Sequence, residues 1–296
     1  MSEDRRKIID NLKSNSVIII AGPTASGKSG LALEIAQECG GIIVNADSMQ
    51  VYRGISIVAA TPDEEDKKKV EHRLYEIYEP SVRGSVADWL NLAVEEIRNI
   101  HKKQKVPIVV GGTGFYIDSL VNGCSPIPET KNEIKQQVED LMKKNKPEDV
   151  YAYLQKIDEA GAKKVNCNDT TRIRRALEIK LDTGKSIAEW FTKPFVKLLN
   201  DVDFRIIKLL PDIKELEKKC SQRFDIMMEK GALAEVEILL SKNLDDSLPA
   251  MKAIGVPELG EYLKGKISLS EAVEKAKLHT RQYAKRQLTW FRHHLS

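Results

Sequence analysis

The sequence predicts an α/β fold: a parallel sheet with flanking helices, interrupted by an all-helical insertion. Three observations predict it. Short β-branched runs alternate with helical patterns between Val17 and Gly112. A glycine-rich segment, Gly22 to Ser29, joins the first strand-like run to the first helix-like one. Beyond Cys124, helical periodicity continues without a convincing strand until Phe204.

Val17-Ile18-Ile19-Ile20-Ala21, ended by Gly22-Pro23, has the continuous apolar character of a strand buried on both faces. Leu31-Ala32-Leu33-Glu34-Ile35-Ala36 reads as helix and stops at Gly40-Gly41. Ile42-Ile43-Val44 is a second short strand. The acidic-then-basic run Asp63 to Lys69 is an exposed loop or a helix start. Val86 to His101 suits a helix with Leu90, Ala93, Val94 and Ile97 on one side. Pro107-Ile108-Val109-Val110 is a third buried strand, closed by Gly111-Gly112. Strand–helix alternation of this kind implies parallel pairing through right-handed crossovers. Phe204 to Leu210, stopped by Pro211, is expected to rejoin the sheet, and the remainder is helical. The expected organisation is therefore a core over 1–123, a helical insertion over 124–200 and a second part of the core, with C-terminal helices, over 201–296.

The chain has 296 residues, 42% of them hydrophobic and 31% charged, which excludes a disordered, collagen-like or membrane-embedded protein. Val17–Ala21 is far too short to span a bilayer. No secretory leader opens the sequence, so a cytoplasmic protein is expected. The four cysteines, Cys39, Cys124, Cys167 and Cys220, are scattered, which argues against a disulfide framework or a cysteine zinc site. Lys plus Arg number 47 against 44 Asp plus Glu, a net charge of only +3. The basic residues are nevertheless concentrated: seven against three acidic residues from Lys163 to Lys185, and six against two from Glu271 to the end. Such segments are either a footprint for a polyanion or solvated helix faces.

Gly22-Pro23-Thr24-Ala25-Ser26-Gly27-Lys28-Ser29 matches G-x-x-x-x-G-K-[ST] between a strand and a helix. Glycines let successive backbone N–H groups turn inward around phosphate oxygens, and the helix start adds partial positive charge. Lys28 supplies a full charge, and the Ser29 hydroxyl can hold Mg²⁺. The segment is a nucleotide- or diphosphate-binding loop. Asp47, just beyond the second strand, can bind metal, act as a general base, or simply cap a turn. Thr113, among glycines at the end of the third strand, either hydrogen-bonds a reacting group or belongs to a tight turn into a helix.

Together these segments resemble the tRNA dimethylallyltransferases (tRNA isopentenyltransferases) of bacterial type. The resemblance rests on Gly22 to Ser29, Asp47-Ser48-Met49-Gln50-Val51-Tyr52, His72-Arg73-Leu74, Gly111-Gly112-Thr113-Gly114-Phe115-Tyr116, Asn168-Asp169 with Arg172 to Glu178, Ala253-Ile254-Gly255, and Thr280 to Arg292. It covers nearly the whole chain and implies a P-loop kinase-like fold. It also implies a prenyltransferase that moves a dimethylallyl group from its diphosphate to N6 of the adenine at position 37, beside the tRNA anticodon, with Mg²⁺.

By this resemblance the loop holds a diphosphate leaving group, with Arg223 as a second cation. Asp47 is the general base, Thr113 hydrogen-bonds at the reacting centre and Gln50 reads the adenine edge. Ser48, Met49, Lys135, Thr171, Arg172, Ile173, Arg174 and Arg175 are expected at the tRNA. A monomer is implied as well. Trp290 and Phe291 read better as packed core than as base-stacking platforms. Three positions depart from the family pattern: Lys135 where an Arg is frequent, Val256-Pro257 after Gly255, and Ile213 after Pro211-Asp212. Two other classes fit the phosphate loop alone: a nucleoside or small-molecule kinase using ATP, and an RNA-binding protein without catalysis.

Overall fold

The computed structural model describes residues 3–295. In chain order the elements are α1 (Glu3–Asp10), β1 (Ser16–Ala21), α2 (Lys28–Cys39), β2 (Ile42–Asn45), α3 (Glu64–Lys69), β3 (His72–Arg73), α4 (Val86–Lys102), β4 (Pro107–Gly111) and α5 (Gly114–Asn122). Then follow α6 (Asn132–Lys144), α7 (Pro147–Ile157), α8 (Glu159–Ala162), α9 (Thr170–Thr183) and α10 (Ile187–Trp190). After them come β5 (Asp203–Lys208), α11 (Ile213–Glu229), α12 (Ala232–Ser241), a 3-10 turn at Ala250–Lys252, α13 (Val256–Leu263) and α14 (Leu269–His293).

The five strands form one parallel sheet in the order β3-β2-β4-β1-β5. Ile18 of β1 lies opposite Ile108 of β4 on one side and Arg205 of β5 on the other. The central strands are buried on both faces because helices cover both, as their unbroken Ile/Val runs require. Ile18, Ile20, Ile43, Ile108 and Val110 pack with Leu31, Ala32 and Ile35 of α2. Side chains alternate across a strand, so Ile19, Val44 and Val109 face the opposite layer, where α4 packs against β2 and β4. Edge strand β5 is only half-buried.

Local chemistry sets the helix starts. Ser85 and Asp88 close a capping box on α4, and Ser268 and Glu271 do the same on α14. The Asp63–Lys69 run becomes α3, with Asp63 accepting the Asp66 N–H; its acids lie in the first turn and its lysines in the last, both matching the helix dipole. Strand β3 has no signature in the sequence because it is two half-buried residues long.

Two compact units result: Asn122–Lys197, and the remaining described residues. The helical unit has its own core of Val138, Val150, Leu154, Ile173, Ala176, Leu177 and Ile187. No helix among the described residues is long and apolar enough to cross a membrane.

Gly111, at the end of β4, lies where a β-carbon would come 2.0 Å from the Ala46 carbonyl oxygen. Backbone cannot yield as a side-chain tip can, so Gly111→Ala is expected to lower the unfolding free energy by about 3 kcal/mol. Urea denaturation with an unchanged m-value would register the loss.

Candidate active site

The carboxyl ends of β1, β2 and β4 converge at one edge of the sheet, where an open parallel sheet binds ligands. From β1 the chain enters the Gly22–Ser29 loop. Ala25 and Gly27 both take left-handed backbone conformations, with φ of 60° and 87°. For Ala25 this is uncommon, and strain of that kind concentrates at ligand-gripping loops. Ser26 Oγ is buried and has no hydrogen-bond partner, as expected of a group waiting for an anion oxygen.

Lys28 is buried, its Nζ donating to the Pro23 carbonyl at 3.1 Å. Burial pushes its ammonium down from 10.5 to about 8; Asp47 opposes that shift, whereas Arg223 adds to it. Arg223 of α11 donates to Thr24 Oγ1 at 3.0 Å. Burial also holds its guanidinium below the usual range, again opposed by Asp47. Two desolvated cations therefore flank the loop, with one carboxylate within electrostatic reach of both.

Asp47 is held by an Asn45 side chain that is itself fully buried. Asn45 Oδ1 accepts the Asp47 N–H at 2.8 Å, while Nδ2 donates to the carbonyls of Asp47 and Leu74, each at 3.0 Å. Trp89 Nε1 donates to the Asn45 carbonyl, and its indole stacks on Tyr116 at 4.5 Å. Asp47 Oδ1 accepts the Met49 N–H at 3.0 Å. One oxygen thus does the turn-capping that Asp commonly performs, and Oδ2 takes no hydrogen bond from any described residue.

Thr113 Oγ1 accepts the Ser48 N–H at 2.9 Å and donates to Ser48 Oγ at 3.2 Å. The end of β4 is thereby fastened to the Asp47 loop, and Thr113 and Asp47 share one wall of the crevice. The phenols of Tyr75 and Tyr283 are pushed up, first by burial and then by the negative charge of Asp47. Gln50 Nε2 donates to the carbonyls of Ala59 and Ala60, so its donor is already engaged and only its oxygen is left to meet a base edge.

The helical unit sorts its basic residues into two groups. Ile173 is a core residue with 1% exposure, its side chain on the apolar face of α9, so only its backbone is left to face tRNA in this segment. Arg174 is paired with Glu139 and only 17% exposed, which ties its guanidinium into the unit. Arg175 is half-exposed, donates to Thr130 Oγ1 at 2.7 Å and pairs with Glu178. Thr171 and Arg172 are exposed at the start of α9, where Asp169 caps the helix and pairs with Arg172. Lys135, 41% exposed, reaches Glu129 at 3.2 Å.

A family model described as IPP transferase matches residues 50–294. The chain belongs to the IPP transferase family. It is 41% identical to a tRNA dimethylallyltransferase of Zymomonas mobilis over 97% of this chain and 90% of that one. It is 42% identical to one from a Bradyrhizobium species over 96% of this chain and 92% of its length. Among solved structures it resembles the tRNA isopentenylpyrophosphate transferase of Bacillus halodurans, with TM-score 0.67 and 32% identity over 95% of this chain and 88% of that one. It also resembles a eukaryotic dimethylallyltransferase acting on tRNA, with TM-score 0.79 and 31% identity over 94% of this chain and 70% of that one. The fold is accordingly the P-loop kinase-like one, and membership favours a prenyltransferase over the kinase and the noncatalytic RNA binder.

In this member of the IPP transferase family, several residues that shape the site carry no plain sequence signal. Asn45 merely ends an apolar run. Glu235 of α12 accepts the N–H groups of Ile57 and Val58 at 2.8 to 3.1 Å, pinning the loop beyond Gln50. Gln287 does leave a trace, being a carboxamide among Ala284, Leu288 and Phe291 on the buried stripe of α14. Phe291 is fully buried, as a packed residue should be.

Lys28 provides a stability test. Its folded pKa of about 8 lies below the ordinary 10.5, so from pH 8 to 10.5 the unfolded chain binds more protons and stability rises with pH. Below that window the buried charge costs on the order of 3 kcal/mol. Lys28→Met is expected to stabilise the fold by about 1–3 kcal/mol at pH 7 and to remove the rise. Chemical denaturation at pH 7 and pH 10 would show both effects.

Proposed function

We propose that this chain transfers a dimethylallyl group from dimethylallyl diphosphate to N6 of the adenine at position 37 of tRNA and releases diphosphate. The supporting observation is the arrangement just described: a cradle with two desolvated cations, facing a carboxylate and a threonine hydroxyl at the ends of neighbouring strands. N6 attacks C1 with its lone pair, the C1–O bond breaks, and the bonding electrons leave with the diphosphate. Lys28, Arg223 and the amides of the loop stabilise the charge that grows on that leaving group. Oδ2 of Asp47 accepts the proton lost by N6, which matters because conjugation into the ring makes the amine a weak nucleophile. Thr113, fixed through Ser48, positions the acceptor. The adenine must leave its stack to arrive there.

Among the described residues no cluster of three His, Cys, Asp or Glu side chains forms a metal cage. A magnesium site here would combine the Ser29 hydroxyl with diphosphate oxygens and water, the hard-oxygen set that this ion favours, and the unpartnered Ser26 hydroxyl fits an anion in the same loop. Bound Mg²⁺ would neutralise part of the leaving-group charge. Of the side chains expected at the tRNA, Thr171 and Arg172 are exposed and so open to an anticodon stem-loop; Lys135 and Arg175 are partly so. Arg174 supports that surface from within, through Glu139. A monomeric, cytoplasmic enzyme completes the reading.

Asp47→Asn keeps an oxygen for the Met49 N–H but cannot take a proton. Single-turnover transfer of labelled dimethylallyl to tRNA is expected to fall on the order of 10²- to 10⁴-fold in this variant. Its tRNA affinity should stay within about threefold of wild type. Near wild-type transfer would remove Asp47 from the base role.

A further inference from the structure

Gln287 joins the two halves of the site. Its side chain is buried, at 7% exposure, inside α14, a position where an apolar residue would pack as well. Oε1 accepts the Thr24 N–H at 2.8 Å. Nε2 donates to the Gly112 carbonyl at 2.7 Å. Thr24 belongs to the anion cradle that follows β1; Gly112 precedes Thr113 at the end of β4. A β-carbon on Gly112 would come 2.5 Å from Nε2, so the carboxamide fills the space that a side chain there would need.

Two consequences follow for Thr24. Its N–H is committed to Gln287, so it is not one of the amides that turn inward to phosphate. Its hydroxyl accepts from Arg223. Thr24 therefore anchors the cradle, held through its backbone by α14 and through its side chain by α11.

We propose that Gln287 is a positioning residue that fixes the distance between the diphosphate cradle and the acceptor wall carrying Thr113 and Asp47. This inference rests on the transfer reaction proposed above. It touches no reacting atom: it acts through Thr24 on the electrophile side and through Gly112 and Thr113 on the nucleophile side. Transfer between two bound groups is sensitive to displacements of about 1 Å, which can change rate by on the order of 10²-fold. Loosening this brace should therefore lower the transfer step more than it lowers the affinity for either substrate.

Gln287→Leu removes both of these hydrogen bonds, and the side-chain contact with Tyr283, at similar volume. Gln287→Glu supplies a readout that packing alone does not move. A neutral Glu carboxyl can reproduce both bonds, its hydroxyl donating to Gly112 O and its carbonyl oxygen accepting from Thr24 N–H, whereas the carboxylate turns an acceptor toward an acceptor. The test is single-turnover transfer from labelled dimethylallyl diphosphate to tRNA between pH 6 and 8.5, with tRNA and diphosphate affinities and thermal midpoints measured alongside.

Gln287→Leu is expected to lose about 10- to 100-fold in transfer rate, with tRNA affinity within about twofold and diphosphate affinity down about threefold. The Gln287→Glu rate, as a ratio to wild type, should climb at least fivefold as pH falls across the range. Wild-type transfer in Gln287→Leu, or a ratio for Gln287→Glu that is flat with pH, would overturn the proposal. Failure of the wild-type protein to prenylate tRNA would instead count against the function; the brace would then stand or fall on whether Gln287→Leu weakens diphosphate binding.

Discussion

Two cations, a buried Lys28 and a partly buried Arg223, with no counterion in contact among the described residues, are the constraint around which the rest of this fold is arranged. Lys28 and Arg223 are both desolvated, and the carboxylate that offsets them, Asp47, makes no direct ion pair with either. An uncompensated buried charge is costly, so such an arrangement persists only where it serves a function. The loop adds its own strain in the left-handed Ala25 and its own unsatisfied group in Ser26. A polyanion would offset both cations and satisfy Ser26 at once, which is why the cradle is best read as half of an interaction whose other half is a diphosphate.

The remaining architecture keeps the acceptor side in register with that cradle. Asn45 turns β2 into the Asp47 loop through three hydrogen bonds from one buried side chain. Thr113 ties the same loop to β4, and Gly111 lets β2 and β4 approach closely enough for that contact. Sheet order contributes directly: β4 lies between β2 and β1, so the three strand ends that carry chemistry are contiguous. Helices α11 and α14 then supply Arg223 and Gln287 from late in the sequence. The site is thus assembled from opposite ends of the chain.

Much of this was legible in the sequence, for physical reasons. Buried parallel strands must be continuously apolar, so β1, β2 and β4 announce themselves; the phosphate loop has fixed glycine and lysine spacing because the backbone must curl around an anion. Two-residue β3 has too little pattern to be read. The role of Asn45 was hidden because its partners are backbone groups, of which Leu74 lies 29 residues away. In α9, Ile173 lies in the segment that the family resemblance assigns to RNA, and its side chain is packed in the core, which a run of neighbouring basic residues does not announce. Arg174 shows the complementary limit, since a basic run does not reveal which of its members will be neutralised by an acidic residue 35 positions earlier, here Glu139.

The central claim, that Lys28 is a desolvated cation kept ready for a diphosphate, is most directly tested by following the Lys28 ammonium itself. A pH titration by NMR on lysine-labelled protein, with the signal assigned by Lys28→Arg, should give a midpoint near 8 in the free protein. Saturating diphosphate with Mg²⁺ should move that midpoint upward by more than one unit. A midpoint near the ordinary 10.5, unmoved by diphosphate, would contradict the account.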